Sequence, residues 1–288
     1  MGGFVLAEEH IILQNVHKEF QRKDHAPTIA LDDVTLSIKK GEFVSLLGPS
    51  GCGKSTLLNI VAGLEKETSG SLLVNNKPIK GPGNDRIVVF QESGLFPWMS
   101  VLDNVMYGLL IKKVPKQEAK ERALDWLQKV HLGKFAHALP HELSGGMKQR
   151  VAIARALVTD PEILLMDEPF AALDEQTRMV LHMELDKLWR ETGKTIIFVT
   201  HNIREAVVLS DRIVLMKTRP GGIKNIFPVQ AARPRTSSDS ILVHLENRIL
   251  TELEQEMEKV LKEELGSDYA LKTDDLRVDP NNNMGSDI

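Results

Sequence analysis

A parallel α/β core is the fold class that this sequence predicts, and three observations predict it. Apolar runs of strand length, EILLMDE and TIIFVTH, alternate with runs of helical periodicity such as MKQRVAIARALV and QTRMVLHMELDKLWRET. Each of the two strand-length runs holds four apolar residues in succession, as strands covered on both faces do, instead of one at every second position. A further apolar run, GEFVSLLG, passes through a glycine-rich turn directly into a helical segment, TLLNIVAGL.

Composition sets the outer limits. The chain has 288 residues, 42% apolar and 26% charged, which suits one large domain or two modest ones around a true core. No uncharged apolar run approaches the ~20 residues of a membrane-crossing helix. The opening MGGFVLAEEH lacks the basic flank and long apolar stretch of a signal peptide, and Leu6 breaks the myristoylation pattern. A single cysteine, Cys52, excludes an internal disulfide framework and suits a reducing compartment, so a cytoplasmic protein is expected. The net charge of −4 is uneven: residues 239–288 carry 13 acidic and 5 basic side chains, leaving about +4 on the first 238. That is too mild to argue for nucleic acid.

In chain order, IILQNVHKEF and TIALDDVTLSI read as strands, then GEFVSLLG and the helix after the glycine loop. Residues 71–90 give short strands broken at Asn75-Asn76 and at Gly81-Pro82-Gly83. From 101 to 139 the period becomes helical, with KQEAKERALDWLQKV the clearest amphipathic run. A helix follows LSGGM and stops at Thr159-Asp160-Pro161; EILLMDE, a helix closed by Gly193, and TIIFVTH come next. Farther on, Ile241, Leu245, Ile249, Leu253, Met257, Leu261 and Leu265 recur four apart, one apolar stripe on an otherwise acidic helix. Such a stripe packs on its own domain, or it serves a dimer contact or a regulatory element. LKTDDLRVDPNNNMGSDI has the composition of a disordered tail.

The chemistry is concentrated in a few short stretches. Gly48-x4-Gly53-Lys54-Ser55 matches the P-loop pattern, and the segment Gly48, Pro49, Ser50, Gly51, Cys52, Gly53, Lys54, Ser55, Thr56 is read as the phosphate cradle. Its glycines let backbone N–H groups wrap phosphates at the positive end of the following helix. Lys54 is placed to reach the β and γ phosphates, and the Ser55 hydroxyl to ligate Mg²⁺. ILLMDE buries a strand that ends in two carboxylates: Asp167, placed to hold the Mg²⁺ shell through water, and Glu168, placed to polarise an attacking water.

Together the P-loop, LSGGM and ILLMDEPFAALD, in this order, resemble the ATP-binding cassette ATPases, the motor subunits of ABC transporters, over residues 10 to about 225. The resemblance implies a P-loop NTPase fold: a RecA-like α/β core with an antiparallel β subdomain and an α-helical signature subdomain. The expected division is a nucleotide-binding domain over 10–230, with the helical part near 92–158, then a helical extension at 231–266 and a disordered tail at 267–288. ATP and Mg²⁺ are the implied ligands. Phe20 falls where the family stacks an aromatic on adenine, and Gln91 where a glutamine senses Mg²⁺ and water and couples to the membrane partner. Asp174 matches the D-loop aspartate, and His201 the switch histidine that contacts the γ-phosphate. The family pattern also places two copies head to tail, so that Ser144, Gly145 and Gly146 of one copy grip the γ-phosphate held by Lys54 of the other. Glu168 and His201 are the expected catalytic pair.

The same resemblance implies integral membrane permease subunits as separate partners, a peripheral position on the cytoplasmic face of the membrane, and indirectly a periplasmic or lipid-anchored solute-binding protein. Phe96, Pro97 and Trp98 follow Gln91 and either enter the groove that receives a permease helix or pack inside the helical subdomain. FPW, together with MKTRPGGI at 216–223, resembles the nitrate/sulfonate/taurine branch of importers. An exporter with separately encoded membrane subunits is the alternative. A repair or translation cassette would need a long coiled-coil insertion or two cassettes in one chain, and neither is visible. A purely regulatory binding module is disfavoured by intact Glu168 and His201. Cys52 sits beside Lys54 at a helix N-terminus, surroundings that favour a reactive thiolate whose alkylation abolishes ATPase activity, unless it is a small filler of the loop.

Overall fold

The computed structural model describes residues 8–22, 25–236 and 239–265. Strands β1 (Glu9–Arg22) and β2 (His25–Lys39) pair antiparallel, with register shifts that bend the ribbon. The chain then enters a second sheet through β3 (Phe43–Leu47) and helix α1 (Lys54–Ala62), and returns to the first through β4 (Ser69–Val74) and β5 (Lys77–Pro78). The result is a four-stranded antiparallel sheet in the order β2-β1-β4-β5.

The second sheet grows from β6 (Arg86–Val89), after which three helices intervene: α2 (Val101–Ile111), α3 (Lys116–Lys129) and α4 (Gly145–Leu157). β7 (Ile163–Asp167), α5 (Glu175–Thr192), β8 (Thr195–Thr200), α6 (Ile203–Leu209), β9 (Arg212–Lys217) and β10 (Gly222–Pro228) complete it, and α7 (Ser240–Leu265) follows. The spatial order is β10-β9-β3-β8-β7-β6; the five strands from β9 to β6 are parallel, and β10 pairs antiparallel with β9.

This sheet is covered on both faces, which explains its unbroken apolar strands. Along β7 and β8, Leu164, Met166, Ile196 and Phe198 face a core shared with α2, α3, α4 and α5. Their neighbours Ile163, Leu165, Ile197 and Val199 face the opposite core, built with α1 and the antiparallel sheet. The alternation is the two-residue period of a strand. Polar residues appear where helices start: Ser100, Ser144, Asp174 and Asn202 each accept a backbone N–H at the N-cap of α2, α4, α5 and α6.

A third core lies beside β9 and β10, where α6 and α7 meet. α7 reaches it through Leu242, Leu245, Ile249 and Leu253, with Met257 partly buried. This corrects the stripe read from the sequence. Ile241 is 59% exposed and Leu242 is fully buried in its place. A strict step of four residues advances about 400° on a helix of 3.6 residues per turn, so it walks off any one face. The buried face continues to Glu256, 1% exposed, whose carboxylate accepts bonds from Lys259 Nζ (2.7 Å) and Thr218 N (3.3 Å) and lies 3.2 Å from Lys224 Nζ. Burial would raise its pKa, but the bonds from Lys259, Lys224 and Thr218 outweigh that and hold it below the usual carboxylate range. The side chain of Leu265 and the expected tail at 267–288 lie outside the described residues.

The link to α7 is clamped as well. The Arg233 guanidinium lies 4.3 Å from the Trp189 ring centroid, bonds to Asp186 and meets Asp211 at 3.0 Å. Arg235 donates to the carbonyls of Ala231, Val207, Val229 and Ser210. Burial lowers its pKa to about 10. α7 is therefore part of the folded body. Ile249→Ala is expected to cost roughly 2–4 kcal/mol of unfolding free energy, the range for truncating a buried aliphatic side chain; an unchanged urea midpoint would show that α7 does not share the cooperative unit.

Candidate active site

Parallel strands end on one edge, and this sheet places the candidate residues along that edge. The P-loop follows β3, His201 follows β8, Asp167 and Glu168 close β7, and Gln91 lies just beyond β6. In space these strands are successive neighbours. Ligands of open α/β sheets bind outside the carboxyl ends of the strands.

The glycine loop is shaped by close approach as much as by flexibility. Gly53 has φ +92°, and a Cβ there would lie 2.6 Å from Leu31 Cδ2 and 2.8 Å from Ala30 O. Lys54 is 6% exposed, and its ammonium donates to Gly48 O (2.7 Å) and Pro49 O (2.8 Å). The Ser55 hydroxyl donates to Asp167 Oδ1 at 3.1 Å, which brings the ends of α1 and β7 together. Burial raises the Asp167 pKa, and the neighbouring Glu168 charge adds to it against the Ser55 bond. Glu168 sits at φ +45°, an unusual conformation for a residue with a Cβ, and its N–H donates to Val199 O of β8 at 3.0 Å. Its Oε2 is 3.1 Å from His201 Nδ1.

The donor set at Ser55 and Asp167 fits a magnesium ion. Both offer hard oxygens, and Mg²⁺ uses one or two protein ligands while water and phosphate fill the rest.

The remaining residues lie around this centre. Gln91 is exposed on the loop after β6, and that loop is gripped by α4: Gln149 Nε2 donates to Phe90 O (3.4 Å), and Arg155 to Ser93 O and Gly94 O (2.8 Å each). Ser144, Gly145 and Gly146 form the N-terminus of the same helix. Within one chain they pack on the Asp174 turn, where a Cβ on Gly146 would lie 2.5 Å from Thr177 Cγ2. Asp174 caps α5, accepting from Thr177 N (2.9 Å) and Thr177 Oγ1 (2.6 Å). Phe20 lies on β1, in the other sheet, 38% exposed, with Lys18 Nζ 4.7 Å from its ring centroid. Phe96 packs on Tyr107 with ring centroids 4.7 Å apart, as packing inside the helical part requires, whereas Trp98 is 72% exposed.

A family model described as ABC transporter matches residues 31–171. An uncharacterised ABC transporter ATP-binding protein of Methanocaldococcus jannaschii is 51% identical over 233 residues, covering 81% of this chain and 87% of the relative. The chain belongs to the ABC transporter ATPases. A taurine import ATP-binding protein of Pelagibacter ubique is 46% identical over 213 residues, 74% of this chain and 80% of the relative. A bicarbonate transport ATP-binding protein of Synechococcus elongatus is 45% identical over 80% of this chain, which spans 35% of that longer relative. Among solved structures, a dimeric ATP-binding cassette in a post-hydrolysis state with ADP and Pi aligns with a TM-score of 0.69 and 38% identity, over 77% of this chain and all of that one. A Clostridium perfringens cassette, part of an ABC transporter complex, aligns with a TM-score of 0.70 and 28% identity, over 90% of this chain and 96% of that one. As an ABC ATPase the protein binds and hydrolyses ATP. No helix among the described residues is long and apolar enough to cross a membrane.

Two features of this ABC ATPase escape the sequence reading. Gln149 and Arg155 hold the Gln91 loop from the signature helix, and their spacing of six residues is not one that marks a shared helix face. Glu205 is 4% exposed; its position three residues after Asn202 matches helix-cap spacing, but nothing in the sequence marks it as buried. Cys52 requires a correction. It is fully buried against Gly48, and burial raises its thiol pKa over the opposing influence of Lys54. The helix terminus and the lysine are present, but desolvation of the thiolate outweighs them. Iodoacetamide at pH 8 should therefore label native protein roughly tenfold or more slowly than the urea-unfolded chain; equal rates would restore the reactive thiolate.

Proposed function

We propose that this ABC ATPase drives an importer of small oxyanion-bearing solutes, in the class of taurine, other sulfonates, nitrate or bicarbonate, and works as a head-to-tail pair of copies. The import and transport functions named for its relatives support the cargo class. The observation that carries the catalytic reading is the row of four motif loops on four neighbouring parallel strands.

Each residue then has a task. The N-terminus of α1 and the P-loop N–H groups receive the phosphates, and Lys54 exchanges its two carbonyl partners for phosphate oxygens, which make stronger, charge-assisted bonds. Ser55, Asp167 through water and Gln91 would hold a magnesium ion, which would supply neutralisation of phosphate charge. Glu168 orients and polarises the attacking water, and His201, 3.1 Å from it, contacts the γ-phosphate. Phe20 offers its ring to adenine. Ser144, Gly145 and Gly146 of the second copy close on the γ-phosphate, with Asp174 at the seam between copies, so ATP closes the pair and hydrolysis releases it. The exposed Trp98 and the Gln91 loop face separate permease subunits at the cytoplasmic membrane surface, and a solute-binding protein acts on the far side. No nucleic acid takes part.

Gel filtration of Glu168→Gln with and without Mg-ATP tests the pairing, beside ATPase assays of the wild type. The expected result is a monomer-to-dimer shift only with ATP, and hydrolysis reduced by about 10²–10⁴-fold, the usual worth of a general base. Undiminished hydrolysis would remove Glu168 from its role, and normal ATP binding without a shift would exclude pairing by ATP alone.

A further inference from the structure

We propose that Glu205 is a positioning residue for hydrolysis, holding the loop that carries His201 in register with α5 and the Asp174 turn. The proposal rests on the reading that His201 contacts the γ-phosphate.

His201 is largely exposed, and its side chain lies 3.1 Å from Glu168. Its placement therefore depends on the backbone to either side. Both neighbours are tied to Glu205, Thr200 through the carboxylate and Asn202 through the Glu205 backbone N–H. The Thr200 hydroxyl donates to Glu205 Oε2 and accepts from the Asn202 N–H at 2.9 Å. Asn202 Oδ1 in turn accepts from the Glu205 N–H at 3.3 Å.

The other oxygen of the carboxylate faces α5. His182 Nε2 lies 3.3 Å from Glu205 Oε1, and Arg178 Nε lies 3.6 Å from it. Arg178 continues the chain by donating to Leu173 O at 2.8 Å, the carbonyl just before Asp174. A path of contacts thus runs from the His201 loop through Thr200, Glu205 and Arg178 to the turn on which Gly145 and Gly146 pack. Thr200 and Glu205 on this path are 2% and 4% exposed, and His182 beside it is 9% exposed, so the carboxylate is buried. Burying a carboxylate is unfavourable unless its partners satisfy it, and an apolar residue would fill the space at lower cost. What the carboxylate adds is a fixed geometry between a catalytic loop and the surface that meets the second copy.

Single-turnover hydrolysis with γ-labelled ATP, measured beside ATP affinity and thermal melts, tests this on the full chain. Glu205→Gln keeps the shape and loses the charge; Thr200→Val cuts the link to the loop without touching Glu205 and serves if Glu205→Gln folds poorly. Each should slow hydrolysis roughly ten- to a hundredfold, the scale of a small misplacement of reacting groups, with ATP affinity unchanged within about twofold. In a His201→Ala background Glu205→Gln should then add nothing, because its effect passes through His201. An equal slowing in both backgrounds, or a proportionate loss of ATP affinity, would reduce Glu205 to a structural role and overturn the proposal while leaving His201 in place. Full-rate hydrolysis by His201→Ala would instead remove the switch reading, and the role of Glu205 with it.

Discussion

Hydrogen bonds between parallel strands hold their neighbours about 4.8 Å apart and end them all on one edge. In this molecule β3, β8, β7 and β6 are consecutive in space although they are scattered through the sequence. The loops that follow them therefore stand in a row about 14 Å long. That spacing brings Ser55 to Asp167 across 112 residues of sequence and Glu168 to His201 across 33. The two apolar cores keep the row rigid, since any slip of one strand against the next would turn Ile163 and Leu165 toward the wrong core.

Against this fixed row, the signature helix is a lever. α4 carries Ser144 to Gly146 at one end and holds the Gln91 loop along its length through Gln149 and Arg155. Burial lowers the Arg155 pKa, as expected for a guanidinium held among backbone carbonyls with no carboxylate partner among its described contacts. Direct hydrogen bonds thus join the helix that starts at Ser144 to the loop beyond β6.

Much of the architecture was legible because its signals are local. EILLMDE and TIIFVTH each carry four apolar residues in succession, the pattern of strands covered on both sides, and GPSGCGKST compresses a whole phosphate cradle into nine residues. What was illegible depends on residues distant in sequence. Cys52 reads as reactive from its neighbours, but Gly221, far along the chain, closes over its backbone, and its side chain sits in the core that also holds Met216. The α7 stripe reads as one face only if the helix is taken to repeat every four residues, and Glu256 belongs to that face through Lys224 on another element. Glu205 is ordinary in sequence; its importance arises where α5, β8 and α6 converge.

The backbone of Glu168 has one more consequence. Left-handed φ costs an L-residue with a side chain about 1 kcal/mol or more, a cost glycine does not bear. Replacing Glu168 by glycine would relax the turn between β7 and the Asp174 segment, so selection for thermal robustness alone would drift away from the carboxylate. Under the role proposed for Glu168, stability and turnover pull in opposite directions at this single position, and engineered variants of the protein that melt later deserve to be sequenced there first.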